Sequence, residues 1–255
     1  MNLKLDESLA VNYKSSAQKI RVMSERWLTQ NLFCPCCGNA HIEKMRNNSP
    51  VADVHCEHCG EIFELKSKKN LIGAKITDGA YRTMIERITS NINPQLFIMQ
   101  YSSALCVTEL TLVPKFFFTP DIIEKRKPLS NTARRAGWVG CNILYQKIPT
   151  QGKIAVIHSG ETVAIKEVLR CYEKIKNLQT NNLSLRGWMM DILNCVNDIG
   201  SEIFTSEEIY KYAGILKAKH NLNNNIEAKI RQQLQFLRDR GFIEFVSRGV
   251  YRKVV

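Results

Sequence analysis

The chain has 255 residues, room for one catalytic-sized domain and a small appendage, and its 44% hydrophobic and 24% charged residues exclude wholesale disorder. No apolar run reaches the roughly 18 residues of a membrane span, and Met1 to Ala10 holds acids and no apolar h-region, so a cytoplasmic chain without secretion signal is expected. With 36 lysines and arginines against 24 acids, the net charge of +12 suits a polyanionic partner.

In chain order, Ile20, Met23 and Trp27 are spaced for one face of a helix over 16–30. A turn-rich, cysteine-bearing stretch follows from Cys34 to Cys59. Residues 61–66 alternate as a strand, and 78–92 read as a helix with Tyr81, Met84, Ile85 and Ile88 on its apolar side. Residues 95–101, 104–113 and 153–158 read as short strands. Strands mixed with helices predict an α/β core over residues 1–182. A polar stretch, Lys176 to Ser184, reads as the linker. Beyond it come helices over 185–198, 205–218 and 223–240, the second opened by Thr205 with Glu208 as a capping box and the third stopped by Gly241. Two strand-like runs then flank Ser247-Arg248-Gly249. Three helices and a β-wing over 183–255 predict a winged helix-turn-helix domain.

Five of the nine cysteines cluster, and an odd count in a reducing compartment argues for metal rather than disulfides. Cys34-Pro35-Cys36-Cys37-Gly38 and Cys56-Glu57-His58-Cys59 form two CxxC knuckles separated by 18 residues. Two turns that each present a thiolate pair can close a tetrahedron around Zn²⁺, and the interval suits a zinc ribbon. The predicted ligands are Cys34, Cys37, Cys56 and Cys59, with Cys36 as the adjacent competitor. Four thiolates fill the coordination sphere, so the zinc is expected to be structural.

Pro50-Val51-Ala52-Asp53 is followed, after ten intervening residues, by Glu64-Leu65-Lys66. In a strand Glu64 and Lys66 share one face, while Phe63 and Leu65 point to the core. Two carboxylates and a lysine on adjoining strands make a hard-oxygen site for Mg²⁺ beside a cation, which is what phosphodiester hydrolysis needs. Cys56 and Cys59 fall between the two halves. The zinc would therefore clamp the tip of the hairpin that carries Asp53 and Glu64, and limit register slippage.

Charge is uneven in the C-terminal region. Residues 183–222 carry four basic and five acidic residues, whereas 223–255 carry seven and three. The third helix and wing, with Arg248 at the wing turn, are the parts that touch DNA in this fold. Ile226, Ile230, Leu234 and Leu237 share that helix's core face, so Asn225, Ala228 and Gln232 point away, with Arg231 at the border. Asn and Gln can take adenine bidentately in the major groove, and Ala can contact a methyl; a solvated polar face is the other reading. Lys125-Arg126-Lys127 and the run from Thr132 through Arg134 and Arg135 to Trp138 form a second basic stretch. Its arginines fit phosphate, and its indole either meets a base or packs in the core. GxxxxGK and GxGxxG are absent.

With CPCCG, PVAD, FELKSKK, DGAY, PLSNTARRAGWVGCNI, LRGW, ILNC, IRQQLQFLRD and RGVYRK in order, the chain closely resembles DpnI-type restriction endonucleases. The resemblance implies a restriction-endonuclease-like PD-(D/E)xK core with an inserted zinc site, followed by a winged helix, both reading methylated DNA. It puts the metal-binding acids on Asp53 and Glu64, the catalytic lysine on Lys66, a metal-facing backbone carbonyl on Leu65 and a methyl-sensing or intercalating aromatic on Trp138. The expectation is a monomeric, Mg²⁺-dependent endonuclease that cuts double-stranded, adenine-methylated DNA at GATC. Two rivals stay open: a methyl-DNA-binding regulator without chemistry, and a methyl-dependent nuclease with another recognition sequence.

Overall fold

The computed structural model describes residues 1–45, 52–90 and 92–254. Pro50 and Val51 of the predicted acidic motif, Asn91 of the predicted helix and the terminal Val255 lie outside the described residues. Helix α1 (Ser16–Asn31) turns Met23, Trp27 and Leu28 inward, as its apolar spacing requires, and also buries Ser24 and Glu25. Two short strands follow, β1 (Glu43–Lys44) and β2 (Val54–His55), antiparallel with Glu43 opposite His55. β2 then forms a hairpin with β3 (Ile62–Lys69), Val54 opposite Phe63, so Cys56 and Cys59 sit at its tip as predicted.

β4 (Ile76–Ala80) leaves this sheet, α2 (Tyr81–Thr89) follows, and β5 (Gln95–Tyr101) returns parallel to β3 with Lys66 opposite Ile98. A parallel neighbour requires a crossover, which β4 and α2 supply. β6 (Val107–Val113) pairs antiparallel with β5. β7 (Ile123–Lys125) and β8 (Gly140–Ile143) join β4 in a three-stranded sheet ordered β4-β8-β7. β9 (Ile154–His158) and β10 (Glu161–Thr162) complete the main sheet, ordered β1-β2-β3-β5-β6-β9-β10. β5 is buried from Gln95 through Met99, on both faces, as a central strand must be. Phe63 stacks on Phe97 with ring centroids 4.9 Å apart, packing β3 onto β5. Helix α3 (Ile165–Lys176), absent from the predicted elements, buries Val168, Tyr172 and Ile175.

The C-terminal region runs α4 (Leu183–Asp198), β11 (Ile203–Thr205), α5 (Ser206–Tyr210), α6 (Ala213–Lys219), α7 (Ile226–Asp239), β12 (Ile243–Ser247) and β13 (Val250–Lys253). Its strands form a sheet ordered β11-β13-β12, the wing of a helix-turn-helix domain. The Thr205–Glu208 capping box is present. α7 ends as expected at Gly241, whose φ of 73° is left-handed, and Phe242 N–H donates to Leu237 O to close the helix.

Three predicted boundaries are corrected. Asp78 and Ala80 pair with Cys141 and Gly140 on β8, so the helix predicted over 78–92 begins only at Tyr81. The strand predicted over 104–113 begins at Val107, because Leu105 N–H closes a turn onto Ser102 O. The helix predicted over 205–218 is two helices, broken where Tyr212 N–H reaches Ile209 O over three residues instead of four.

α4 is buried almost all round, the pattern of a helix wedged between two layers. On one side it packs in the winged helix. On the other, Arg186 donates to Phe118 O and Ile88 O at 3.2 and 3.3 Å, and Asn194 donates to Lys147 O at 2.9 Å. One continuous core joins the two regions. Among the described residues, no helix is long and apolar enough to cross a membrane.

Candidate functional site

Each cysteine knuckle closes on itself through its backbone. Gly38 N–H donates to Cys34 O and Gly60 N–H to Cys56 O, with both glycines at left-handed φ of 81° and 72°. The two turns face each other so that Cys34 Sγ lies 3.7 Å from Cys59 Sγ and Cys37 Sγ lies 3.7 Å from Cys56 Sγ. A tetrahedron with Zn–S bonds of about 2.3 Å has edges of about 3.8 Å, so the four sulfurs fit a structural zinc site. Burial works against a Cys56 thiolate, but backbone N–H groups at Cys59 and His58 and the Cys34 and Cys37 side chains hold its pKa down to about 7. The four sulfurs form one cluster, and Cys36 is not part of it.

Below the knuckles, the β2–β3 hairpin brings the predicted acidic motif together. Asp53 Oδ2 accepts the Leu65 N–H at 2.8 Å, and Asp53 N–H donates to Phe63 O. Glu64 Oε1 lies 2.7 Å from Lys66 Nζ, and Glu64 Oε2 takes Arg87 Nη2 of α2. Asp53, Glu64, Leu65 and Lys66 line one cleft of about 670 Å³ together with Arg21 and Glu25 of α1. Leu65 is half-buried at this cleft, rather than wholly in the core like its strand neighbour Phe63.

The cleft brings carboxylates and cationic side chains together: Glu25, Asp53 and Glu64 beside Arg21 and Lys66. Burial raises the Asp53 pKa, and the Glu25 and Glu64 carboxylates raise it further, against the Leu65 amide and Arg21. Two crowded carboxylates with hard oxygen donors match the preference of Mg²⁺. Burial alone would push Lys66 down, but Glu64 and Asp78 outweigh it and drive its pKa above the ordinary lysine value. Lys66 is thus an ammonium at neutral pH.

The predicted DNA-reading residues fall on two surfaces. Asn225, Ala228, Arg231 and Gln232 are exposed at the start and on the outer face of α7, while Ile230, Leu234 and Leu237 are buried. Arg231 Nη1 donates to Tyr210 OH at 3.0 Å, and Lys229 Nζ to Gln232 Oε1 at 2.6 Å. Arg248 is exposed in the β12–β13 turn. Arg134, Arg135 and Trp138 lie on the loop between β7 and β8, which Leu129 N–H closes onto Trp138 O. Arg134 and Arg135 are exposed. Trp138 is half-buried, with the Arg135 guanidinium 4.5 Å above its ring. Its indole lies over Gly140, where a Cβ would come within 2.8 Å of the ring, so a glycine is needed there. The loop runs straight into β8, which pairs with β4 at the wall of the acidic cleft.

Four charged residues of this site escaped the sequence reading: Arg21, Glu25, Asp78 and Arg87. Glu25 takes Arg21 at 2.5 Å and Lys44 at 3.1 Å, and Arg21 Nη2 lies 3.8 Å from Asp53. Arg21 and Glu25 are one helical turn apart, a spacing that from sequence reads as an ordinary surface pair. The local pattern puts Asp78 in a helix, whereas it stands on β4 beside Lys66.

Residues 1–181 match the family described as DpnI, the Dam-replacing family, and residues 184–253 match its Dam-replacing HTH domain.

Proposed function

Because the chain belongs to the DpnI, Dam-replacing family, we propose that it is a Mg²⁺-dependent endonuclease that cuts double-stranded DNA at GATC sites whose adenine carries a methyl group. The observation that carries this reading is the convergence of Asp53, Glu64 and Lys66 on one cleft at the root of a cysteine-clamped hairpin. A DNA-binding regulator has no need of that triplet.

Asp53 and Glu64, with the Leu65 carbonyl, would hold Mg²⁺. Bound there, the ion supplies Lewis-acid polarisation of the scissile phosphate and lowers the pKa of water. The Leu65 amide fixes the Asp53 carboxylate, and Arg87 fixes Glu64 from the α2 side. Lys66, held as an ammonium, orients the attacking water and offsets charge developing on the phosphoryl oxygens. With its pKa raised in this state, orientation and charge are the roles best matched to it.

DNA is held by the helix-turn-helix domain and, in this reading, by the basic loop carrying Arg134, Arg135 and Trp138. The methyl of N6-methyladenine lies in the major groove. One buried methyl is worth about 0.8 kcal/mol, only a few-fold in affinity, so two surfaces that each read a methyl would multiply the selectivity. Incubation of the full chain with a methylated GATC duplex, with and without Mg²⁺, tests the chemistry. Strand scission only with the metal is expected; tight binding with intact strands in Mg²⁺ would place the protein among regulators.

A further inference from the structure

β4 alternates buried Ile76, exposed Thr77 and buried Asp78, so a carboxylate occupies an inward strand position where an apolar side chain would continue the pattern. Such a break of a local rule is expected where function demands it. The Asp78 side chain is 3% exposed, and its Oδ1 pairs with Lys66 Nζ and accepts the Gly79 N–H at 2.7 Å. Asp78 Oδ2 is buried without a hydrogen-bond partner among the described residues. A buried acceptor that no protein donor meets is costly, and the charge that compensates this carboxylate is the Lys66 ammonium.

Lys66 therefore has two carboxylate partners of different kinds. Glu64 shares its strand and lines the cleft. Asp78 comes from the second sheet, is buried, and is not among the residues lining the cleft, so it stands behind Lys66. On the nuclease reading above, on which this inference rests, Glu64 also serves the metal, and its grip on Lys66 weakens when it does. We infer that Asp78 is a positioning residue: it anchors the Lys66 ammonium from outside the cleft and keeps it aimed while Glu64 is engaged elsewhere.

The test separates charge from shape. The full chain and its Asp78→Asn and Asp78→Glu variants are compared on a methylated GATC duplex in Mg²⁺, with kcat, KM and melting temperature measured for each. Asn preserves the shape and the Gly79 contact but removes the charge; Glu preserves the charge in a poorer shape. Asp78→Asn is expected to lower kcat on the order of 10- to 100-fold with KM and melting temperature unchanged, and Asp78→Glu to recover part of the loss. An Asn variant with wild-type kcat, or one that outperforms Glu, overturns the inference. If Asp78→Asn melts early, Asp78→Ser, small enough for the strand, takes its place in the comparison with Glu under the same criteria. Failure of the nuclease reading looks different: the wild-type chain itself then leaves the duplex intact, and the positioning role falls with it.

Discussion

Lys219, at the end of α6, places its ammonium 2.5 Å from the Asp121 carboxylate of the N-terminal region. The same ammonium pairs with Asp191 of α4, whose second oxygen meets His220 Nε2 at 2.7 Å. His220 in turn stacks on Trp188 with ring centroids 3.9 Å apart. A charge network thus spans the junction between the N-terminal region and the winged helix.

That junction should weaken in acid. Burial alone would raise the Asp121 pKa, but the Lys219 hydrogen bond and charge overcome it and hold the carboxyl below its ordinary value. A depressed carboxyl contributes stability above its unfolded pKa and loses it as pH falls through the folded one. Asp121→Asn should therefore melt below wild type at neutral pH, and the gap should close as pH drops through the carboxylate range. A constant gap across that range would remove the ion pair from the account.

The cleft residues should separate chemistry from binding. Asp53→Ala and Lys66→Ala are each expected to reduce cleavage by at least on the order of 10²–10³-fold while retaining affinity for methylated duplex. Single-turnover rates beside fluorescence binding curves check this. Comparable cutting by either variant in Mg²⁺ would mean that the site is misassigned.

The sulfur cluster should carry tightly bound metal. Elemental analysis of purified protein is expected to return about one zinc per chain. Cys56→Ser combined with Cys59→Ser should lower the melting temperature and, through the β2–β3 register, the cleavage rate. Cys36→Ser should leave zinc content unchanged, since its sulfur lies outside the cluster. Zinc-free protein of full stability would contradict the clamp.

The two DNA surfaces should fail in different ways. Gln232→Ala, on the exposed face of α7, should cost about 1–3 kcal/mol and relax base preference if the side chain meets a base edge. Arg248→Ala, at the wing turn, should weaken binding evenly across sequences and lower the salt slope by about one. Titrations at several salt concentrations on two duplex sequences distinguish these patterns.

Much of this architecture was legible because it is written in short-range signals. Two CxxC knuckles, a strand-alternating ExK, a capping box at Thr205 and a terminating Gly241 each carry their meaning within a few residues. The cluster of Cys34, Cys37, Cys56 and Cys59 followed from spacing alone. What stayed hidden depends on tertiary pairing. Asp78 reads as helix from local pattern, and becomes strand only because β8, over sixty residues later in the chain, offers Cys141 as a partner. Arg21 and Glu25 look like a solvated helix pair until β2 brings Asp53 alongside. From sequence, 185–198 reads only as the first helix of the C-terminal domain. Its burial on a second side, where Arg186 meets the Ile88 and Phe118 carbonyls, depends on the N-terminal region. The family resemblance supplied the roles that geometry leaves to experiment.

The central claim is methyl-directed cleavage, and a paired digestion tests it most directly. One plasmid is prepared with and without adenine methylation at GATC, and the two copies are incubated side by side with the full chain in Mg²⁺. The account predicts fragments with ends at GATC from the methylated copy and an intact unmethylated one. Equal cutting of both copies, or cutting of neither, would contradict it.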